Sequence, residues 1–173
     1  MLITSLPRYI TQRDLTLRHL RISDGPLLSE TLKREDILES SRVCKTCISS
    51  RVCRPRRTSW IIFYWRLRKI FFAAYCIEHE SRTIGFIGLF NLVPGESSEL
   101  SLVLFDPFFR RRGYGTRAFK MLSRNNFTAT FANTFIARVR KDNEPAYCFW
   151  GKLGFETVGY DGDIIVMELR GGK

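Results

Sequence analysis

The sequence predicts an α/β fold, and three observations in its second half carry that prediction. Residues 100–105 alternate in the period-two pattern of a strand with a buried face, and residues 114–124 then place apolar side chains at helical spacing. The run 134–140 alternates again and leads into a second helix-like segment. Asp161-Gly162 separates two short strand-like runs, which is a strong signal for a tight hairpin. Strands and helices that alternate in this way indicate a layered domain.

The remaining elements follow from short-range signals in chain order. A first strand leads into a helix that Ser23 or Asp24 can cap, and two apolar runs joined by a polar turn predict a strand pair. Pro94-Gly95 then turns the chain into the strand that ends near Phe105. The predicted bounds are 15–22 for the first strand, about 24–39 for the helix, 72–78 and 83–90 for the strand pair, and 156–160 and 164–169 for the hairpin.

The turn after the strand 100–105 favours an anion. It reads Arg110-Arg111-Arg112-Gly113-Tyr114-Gly115, and a glycine-rich turn that opens a helix leaves backbone N–H groups at the positive end of the helix dipole. Gly113 and Gly115 lack Cβ atoms and let a ligand approach the backbone, while the arginines add donors suited to phosphate. The alternative is a tight turn with solvated arginines. The sequence has neither the G-x-G-x-x-G dinucleotide fingerprint nor the G-K-[ST] ending of a P-loop.

A second motif follows the run 134–140 and reads Asn143-Glu144-Pro145-Ala146-Tyr147-Cys148-Phe149-Trp150-Gly151-Lys152-Leu153-Gly154-Phe155. Asp142 or Asn143 can cap its helix, Pro145 fits the first turn, and Gly154 can end it. The two motifs together resemble the GCN5-related N-acetyltransferase family. Arg110-x-x-Gly113-x-Gly115 is similar to its acyl-CoA pyrophosphate loop, and the segment 143–155 to its second cofactor motif, commonly N-x-x-A-x-x-x-Y-x-K-x-G-F. The resemblance covers roughly residues 70–169, and residues 14–38 match loosely.

The resemblance implies a fold and a cofactor. The expected fold is one domain over residues 1–173, with a central mixed, mostly antiparallel twisted sheet flanked by helices. The expected cosubstrate is acetyl-CoA as the acyl donor, with no metal. The residues that the resemblance assigns to cofactor binding are Val103, Leu104, Phe105, Arg110, Arg111, Arg112, Gly113, Tyr114, Gly115, Thr116 and Asn143.

The resemblance also implies a catalytic pair. Acetyl transfer needs a neutral amine, so a base has to accept its proton, and Glu99 stands near the start of the fourth strand, where the family often has a glutamate base. Alternatively, Glu99 caps a strand end in water. At the position of a tyrosine that often protonates the leaving thiolate the chain has Trp150, whose indole is not a usable acid. Tyr147 could supply the hydroxyl instead. Its alternatives are a packing role in the core, no general acid at all, or a catalytically weakened chain.

Between residues 40 and 77 the chain is strongly basic. Nine Lys and Arg residues and no Asp or Glu fall in this span, and subtracting them from the net charge of +11 leaves only +2 elsewhere. Residues 40–70 therefore form a basic, Cys-containing atypical segment, within which residues 60–72 fit a helix and a strand equally. In the resembled family this region usually lies over the acceptor site, so the expected anionic partner is an acidic acceptor, an RNA-bearing particle or the phosphates of the cofactor. The alternative is a solvated basic loop.

The cysteines give little sign of a metal site. Cys44, Cys47 and Cys53 cluster, but a structural zinc site needs four ligands and both histidines lie far away in sequence. Cys76 in a strand and Cys148 in a helix are expected to be buried as small apolar side chains. No run of 18 uncharged apolar residues occurs, and the N-terminus lacks the pattern of a signal peptide. These features predict a cytoplasmic protein with reduced cysteines and no membrane contact.

Two functions of different classes fit these observations. The favoured one is an acetyl-CoA-dependent N-acetyltransferase that acts on a primary amine of a protein N-terminus, a lysine or a small molecule. The alternative is a non-catalytic module that keeps the fold and uses the basic segment to hold RNA, a ribosome or an acidic partner. Thiol release from acetyl-CoA in the presence of amines discriminates between them.

Overall fold

The computed structural model of the chain describes residues 7–31, 60–124 and 132–171. Within them, eight strands form one sheet in the order β1-β2-β3-β4-β5-β6-β8-β7. The elements are β1 Tyr9–Gln12, β2 Leu15–His19, α1 Gly25–Thr31, α2 Trp60–Ile70, β3 Phe71–His79, β4 Arg82–Val93, β5 Ser97–Leu104, α3 Tyr114–Ser123, β6 Thr134–Arg140, α4 Glu144–Lys152, β7 Glu156–Asp161 and β8 Ile164–Arg170.

The sheet is mixed and mostly antiparallel, which confirms the expected fold class. Strand β5 pairs with β6 in parallel, and the other neighbouring strands pair in antiparallel fashion. Helix α3 lies between β5 and β6 in the chain, as a parallel pair requires a crossover connection. The hairpin of β7 and β8 turns at Gly162, whose φ of +57° lies in the left-handed region that a tight turn needs.

Alternating residues of the strands supply two cores on the two faces of the sheet. The first core packs α3 and α4 on the sheet through residues such as Leu89, Phe119 and Trp150. The second core packs α1 and α2 on the opposite face through residues such as Leu28 and Leu67. The central strands β3 and β4 contribute to both cores, so they are buried on both sides.

The segment 60–72, for which sequence left helix and strand open, is helical up to Ile70. Tyr64 and Leu67, three residues apart on one side of α2, are buried in the second core, whereas Trp65 is 55% exposed. Strand β3 begins directly at Phe71 without a loop. The rest of the basic segment, residues 40–59 with Cys44, Cys47 and Cys53, lies outside the described residues.

Strand β1 was missed by the sequence analysis. Its side chains are exposed or half-buried, so it shows no alternation of apolar and polar residues, and its place at the edge of the sheet is set by pairing with β2. The predicted first helix also begins differently. A 3-10 turn, Ile22–Asp24, precedes α1, and the residue before that turn is Arg21 rather than Ser23 or Asp24.

Asp24 instead belongs to a buried ionic cluster on the second face. The Arg18 guanidinium donates to both carboxylate oxygens of Asp24, at 3.0 and 2.9 Å, and to Glu78 at 2.8 Å. Burial raises the pKa of Asp24, but hydrogen bonds from Arg18 and from the Arg21 backbone lower it by more, so this pKa lies below its ordinary value. The neighbouring Cys76 is buried, as expected, and burial raises the pKa of its thiol. Cys148 was expected to be buried too, but it is exposed on α4.

Candidate active site

A fork opens in the sheet between β5 and β6. The two strands pair at only three positions, and Glu99 opposite Ile136 is the last of them. Strand β5 continues to Leu104 along β4, while β6 continues to Arg140 along β8. In the described part of the chain, the edge of β5 from Leu100 to Leu104 therefore has no strand partner on its β6 side. An unpaired strand edge presents backbone N–H and C=O groups to a ligand.

Glu99 lies at the apex of the fork. Its strand partner Phe90 belongs to the second core, so its carboxylate is on the face that carries α1 and α2. Oε1 accepts a hydrogen bond from Asn91 Nδ2 at 3.1 Å and lies 3.4 Å from Arg138 Nε. Arg138 in turn pairs with Asp161 at 3.0 Å. With 15% exposure and two protein partners, the Glu99 side chain does not simply face water, as the alternative to a base role assumed.

The glycine-rich turn forms the N-terminus of α3 close to the end of β5. Gly113 precedes the helix with φ of +83°, a left-handed conformation that favours glycine, and no atom lies within 4 Å of where its Cβ would be. The first helical hydrogen bond runs from Arg117 N to Gly113 O. The amides of Tyr114, Gly115 and Thr116 precede that bond, so they are the donors that a helix start offers to an anion.

Gly115 has a packing role that the sequence did not predict. A Cβ there would lie 3.3 Å from Leu102 of β5 and 3.3 Å from Phe149 of α4. The missing side chain thus lets α3 pack closely on the strand and on α4, and the role of Gly115 in cofactor binding stays a prediction. Of the two glycines, Gly113 is the one with open space beside it.

The three arginines of the turn are not equivalent. Arg110 donates from Nε and Nη2 to the Leu104 carbonyl, both at 3.3 Å, and so ties the turn to the end of β5. The Arg112 guanidinium lies 3.8 Å from the ring centroid of the exposed Phe108, a cation–π contact. Arg111 is exposed and has a φ of +59°. The prediction that all three serve phosphate stays a prediction, and Arg110 already has a structural partner.

The end of β5 shows which of its predicted contacts are feasible. Val103 and Phe105 are buried in the second core, while Leu104 is half-buried and packs against the first. The Phe105 N–H donates to the Ile84 carbonyl of β4 and both side chains are in the second core, so a cofactor in the fork would not contact these side chains. Their predicted role in cofactor binding remains untested.

Helix α4 holds the remaining predicted residues. Asn143 caps it by accepting a hydrogen bond from the Ala146 N–H at 3.1 Å. Trp150 is 6% exposed and packs against Phe119, Phe149 and Phe155, so the residue at the usual tyrosine position is part of the core. Tyr147 is 42% exposed, so the alternative that it packs in the core is wrong. The described partners of the Glu99 carboxylate are Asn91 and Arg138 and do not include Tyr147.

Sequence reasoning missed the two residues that lie beside the Glu99 carboxylate. Asn91 and Arg138 flank Glu99 from β4 and β6, and the alternation of β6 was the only signal that placed Arg138 on an outward face.

Among residues 7–31, 60–124 and 132–171, no group of three or more His, Cys, Asp and Glu side chains is arranged to hold a metal ion. None of the helices described there is long and apolar enough to cross a bilayer.

Comparison with known proteins gives this geometry a family. Residues 14–156 match the model of the acetyltransferase (GNAT) domain. The alpha/beta-tubulin-N-acetyltransferase 9 of Mus musculus is 28% identical over 93 residues, which are 53% of this chain and 39% of the mouse protein. The chain thus spans less than half the length of that curated relative.

Solved structures share the fold at low identity. One is the Salmonella typhimurium acetyltransferase that modifies the N-terminal serine of ribosomal protein L7/L12, with a TM-score of 0.72, 15% identity, and coverage of 94% of this chain and 98% of that one. Another is the aminoglycoside acetyltransferase AAC(6')-Ib in complex with coenzyme A, with a TM-score of 0.71, 18% identity, and coverage of 90% and 94%. Because the domain model spans most of its residues and the fold agrees, the chain belongs to the GCN5-related N-acetyltransferase family.

Proposed function

We propose that the chain transfers an acetyl group from acetyl-CoA to a primary amine, on a protein N-terminus, a lysine or a small molecule. The observation that supports this most directly is the fork between β5 and β6, with an anion-binding helix start at its open end and a carboxylate at its apex. Family membership supports the same activity and the same acyl donor.

The cofactor fits this geometry from its phosphates to its thioester. The diphosphate would receive the amides of Tyr114, Gly115 and Thr116 beside Gly113. The pantetheine arm carries amide groups, and an extended arm can pair with the open edge of β5 as an added strand does. From Leu104 to Glu99 that edge spans roughly 17 Å at the strand rise per residue. The thioester would then lie near the apex of the fork.

The chemistry requires little beyond these groups. Glu99 would accept the proton of the attacking amine, directly or through water, and the neutral nitrogen would then attack the thioester carbon. Open backbone N–H groups of β5 are suited to the developing oxyanion. The C–S bond breaks as the tetrahedral intermediate collapses, and a thiol pKa of about 8.5 makes the CoA thiolate a tolerable leaving group. The exposed Tyr147 hydroxyl would supply its proton, since the buried Trp150 indole has no acidic proton to give.

Replacing Gly113 with valine tests the cofactor site. The side chain would fill the open space beside the helix start, so the Kd for CoA should rise well over tenfold. Gly95→Val is a matched control, because Gly95 has φ of +79° and equally open space in the turn between β4 and β5. Both variants carry the same backbone strain. Calorimetry that finds equal CoA affinity in the two folded variants would contradict the assignment.

The basic segment motivates a separate prediction about the acceptor. Its residues 40–59 lie outside the described residues, so this prediction rests on sequence alone. If the segment recruits an anionic acceptor, neutralising Arg54, Arg56 and Arg57 together should raise KM for that acceptor severalfold and flatten its dependence on salt. The KM for acetyl-CoA should change less. Wild-type kinetics of the triple variant at low salt would show that the charge has no part in recognition.

A panel of amines gives the direct test of activity. We expect thiol release from acetyl-CoA to accelerate with at least one peptide N-terminus, lysine peptide, polyamine or amino sugar. Release that stays at the rate of the amine-free control across the panel, in protein that binds CoA, would favour a non-catalytic module instead.

A further inference from the structure

Three residues from distant parts of the sequence meet behind the first turn of α3. Asp14 lies in the turn between β1 and β2, His79 ends β3, and Tyr114 is the first residue of α3. His79 Nδ1 lies 3.1 Å from Asp14 Oδ2, and His79 Nε2 lies 3.2 Å from the Tyr114 hydroxyl. The imidazole therefore bridges a carboxylate and a phenol, and the phenol belongs to the residue that follows Gly113 in the sequence.

Aromatic packing holds this chain of hydrogen bonds in place. The His79 ring lies 4.8 Å from the Tyr114 ring and 6.0 Å from the Phe109 ring, measured between centroids. Phe109 and Tyr114 are themselves 5.6 Å apart, and Phe109 is 6% exposed. Three rings from β3, the turn and α3 thus contact one another, so Tyr114 has little freedom to rotate away from His79.

Asp14 also contacts the first turns of α3 through a second residue, Arg117. Arg117, three residues after Tyr114 on the same side of the helix, donates to Asp14 Oδ2 at 3.2 Å and to the Gln12 carbonyl at 3.2 Å. The hydrogen bond from Arg117 lowers the pKa of Asp14 to about 2, so Asp14 stays a carboxylate at neutral pH. The start of α3 is therefore fastened to the hairpin of β1 and β2 both directly and through His79.

We propose that the chain of Asp14, His79 and Tyr114 fixes the first turn of α3 in the orientation that its amides need to bind the cofactor diphosphate. His79 and Tyr114 are positioning residues, because they act on the ligand through the backbone that follows Gly113. This inference rests on the proposed cofactor site. Donors that must converge on one anion lose affinity when the groups that support them are loosened.

Substitutions in this chain of hydrogen bonds test the inference. Tyr114→Phe keeps the ring and deletes the hydroxyl, so the Kd for CoA should rise about three- to tenfold, the size expected for one neutral hydrogen bond. His79→Leu breaks both bonds and should raise the Kd further. His79→Gln restores an amide near the position of Nε2 and should recover part of the loss. In all three variants, the KM for acetyl-CoA should rise by a larger factor than kcat at saturating acetyl-CoA falls.

Tyr160→Phe is the matched control, since it deletes the same atom from a 68% exposed tyrosine on β7 and should leave the Kd unchanged. Thermal melts verify that each variant is folded. If Tyr114→Phe and His79→Leu bind CoA as wild type does while Gly113→Val binds weakly, the positioning role is overturned and the cofactor site stands. If Gly113→Val also binds as wild type does, the cofactor site and this inference fall together.

Discussion

Replacing Glu99 with glutamine should lower kcat by about a hundredfold or more while the Kd for CoA stays near the wild-type value. General bases contribute on the order of 10²–10⁴ to rate, and the amide cannot accept the proton of the amine. The substitution keeps the size of the side chain, and the amide oxygen can still accept the hydrogen bond from Asn91. The pH–rate profile of the variant should also lose its rising limb. Steady-state kinetics with the acceptor found in the amine panel, combined with calorimetry, measures both quantities.

Glu168→Gln provides the comparison on the same face of the sheet. Both Glu99 and Glu168 lie opposite Ile136, on β5 and β8, so the two carboxylates share that face. Glu168 is not at the apex of the fork, and its replacement should leave kcat unchanged. If Glu99→Gln and the wild type are equally active across pH, the group that accepts the proton of the amine is water or another side chain and not Glu99.

Replacing Arg18 with methionine should cost about 3–5 kcal/mol of folding stability, because it leaves the buried carboxylate of Asp24 without its partner. For a chain of this size, each kcal/mol lowers the melting temperature by about 2–4 °C. Arg82→Met is the matched comparison. Arg82 pairs with Asp106 at 3.4 Å, but its side chain is 67% exposed, so its loss should cost less than about 1 kcal/mol. Equal losses of folding stability in Arg18→Met and Arg82→Met, measured by thermal or urea denaturation, would contradict this prediction.

The carboxylate of Asp24 also makes folding stability depend on pH. The pKa of Asp24 is lower in the folded chain than in the unfolded chain, so its stabilisation is fully present above the unfolded value. It is lost as the pH falls through the folded value. The folding stability of the wild type should therefore decrease as the pH drops below about 4. Part of this decrease should be absent in Arg18→Met.

The order of strands and helices from β2 onward could be predicted because their side chains carry the pattern of burial. Residues 134–140 are an example, since every second side chain faces the first core. Strand β1 could not be predicted, because three of its four side chains are exposed and the half-buried Ile10 gives no alternating pattern by itself. Helix α2 remained undecided because its aromatic and β-branched residues are interrupted by charges at positions 66, 68 and 69. Among its described side chains, Tyr64 and Leu67 are buried in the second core, which only tertiary contacts reveal.

The candidate site was predictable where local backbone chemistry defines it. Gly113 is an example, since a glycine before a helix predicts both the left-handed φ and the open amides. The role of Gly115 was not predictable, because the atoms that exclude a Cβ there come from β5 and α4. For the same reason, sequence did not reveal that Asn91 and Arg138 lie beside Glu99 or that His79 contacts Tyr114. Each of them reaches its partner across the sheet, over a separation that local periodicity does not report.

The placement of α1 and α2 bears on how acceptor choice can change during evolution. The two helices contact each other on the face of the sheet that also carries Glu99, so the described ranges that stop at Thr31 and resume at Trp60 are both anchored on this face. The entropic cost of closing a loop rises only slowly with its length. Insertions, deletions or a new composition between these two anchored ends would therefore leave the fork and the start of α3 intact. If this segment recognises the acceptor, as proposed above, acceptor choice can change in evolution while donor binding is kept.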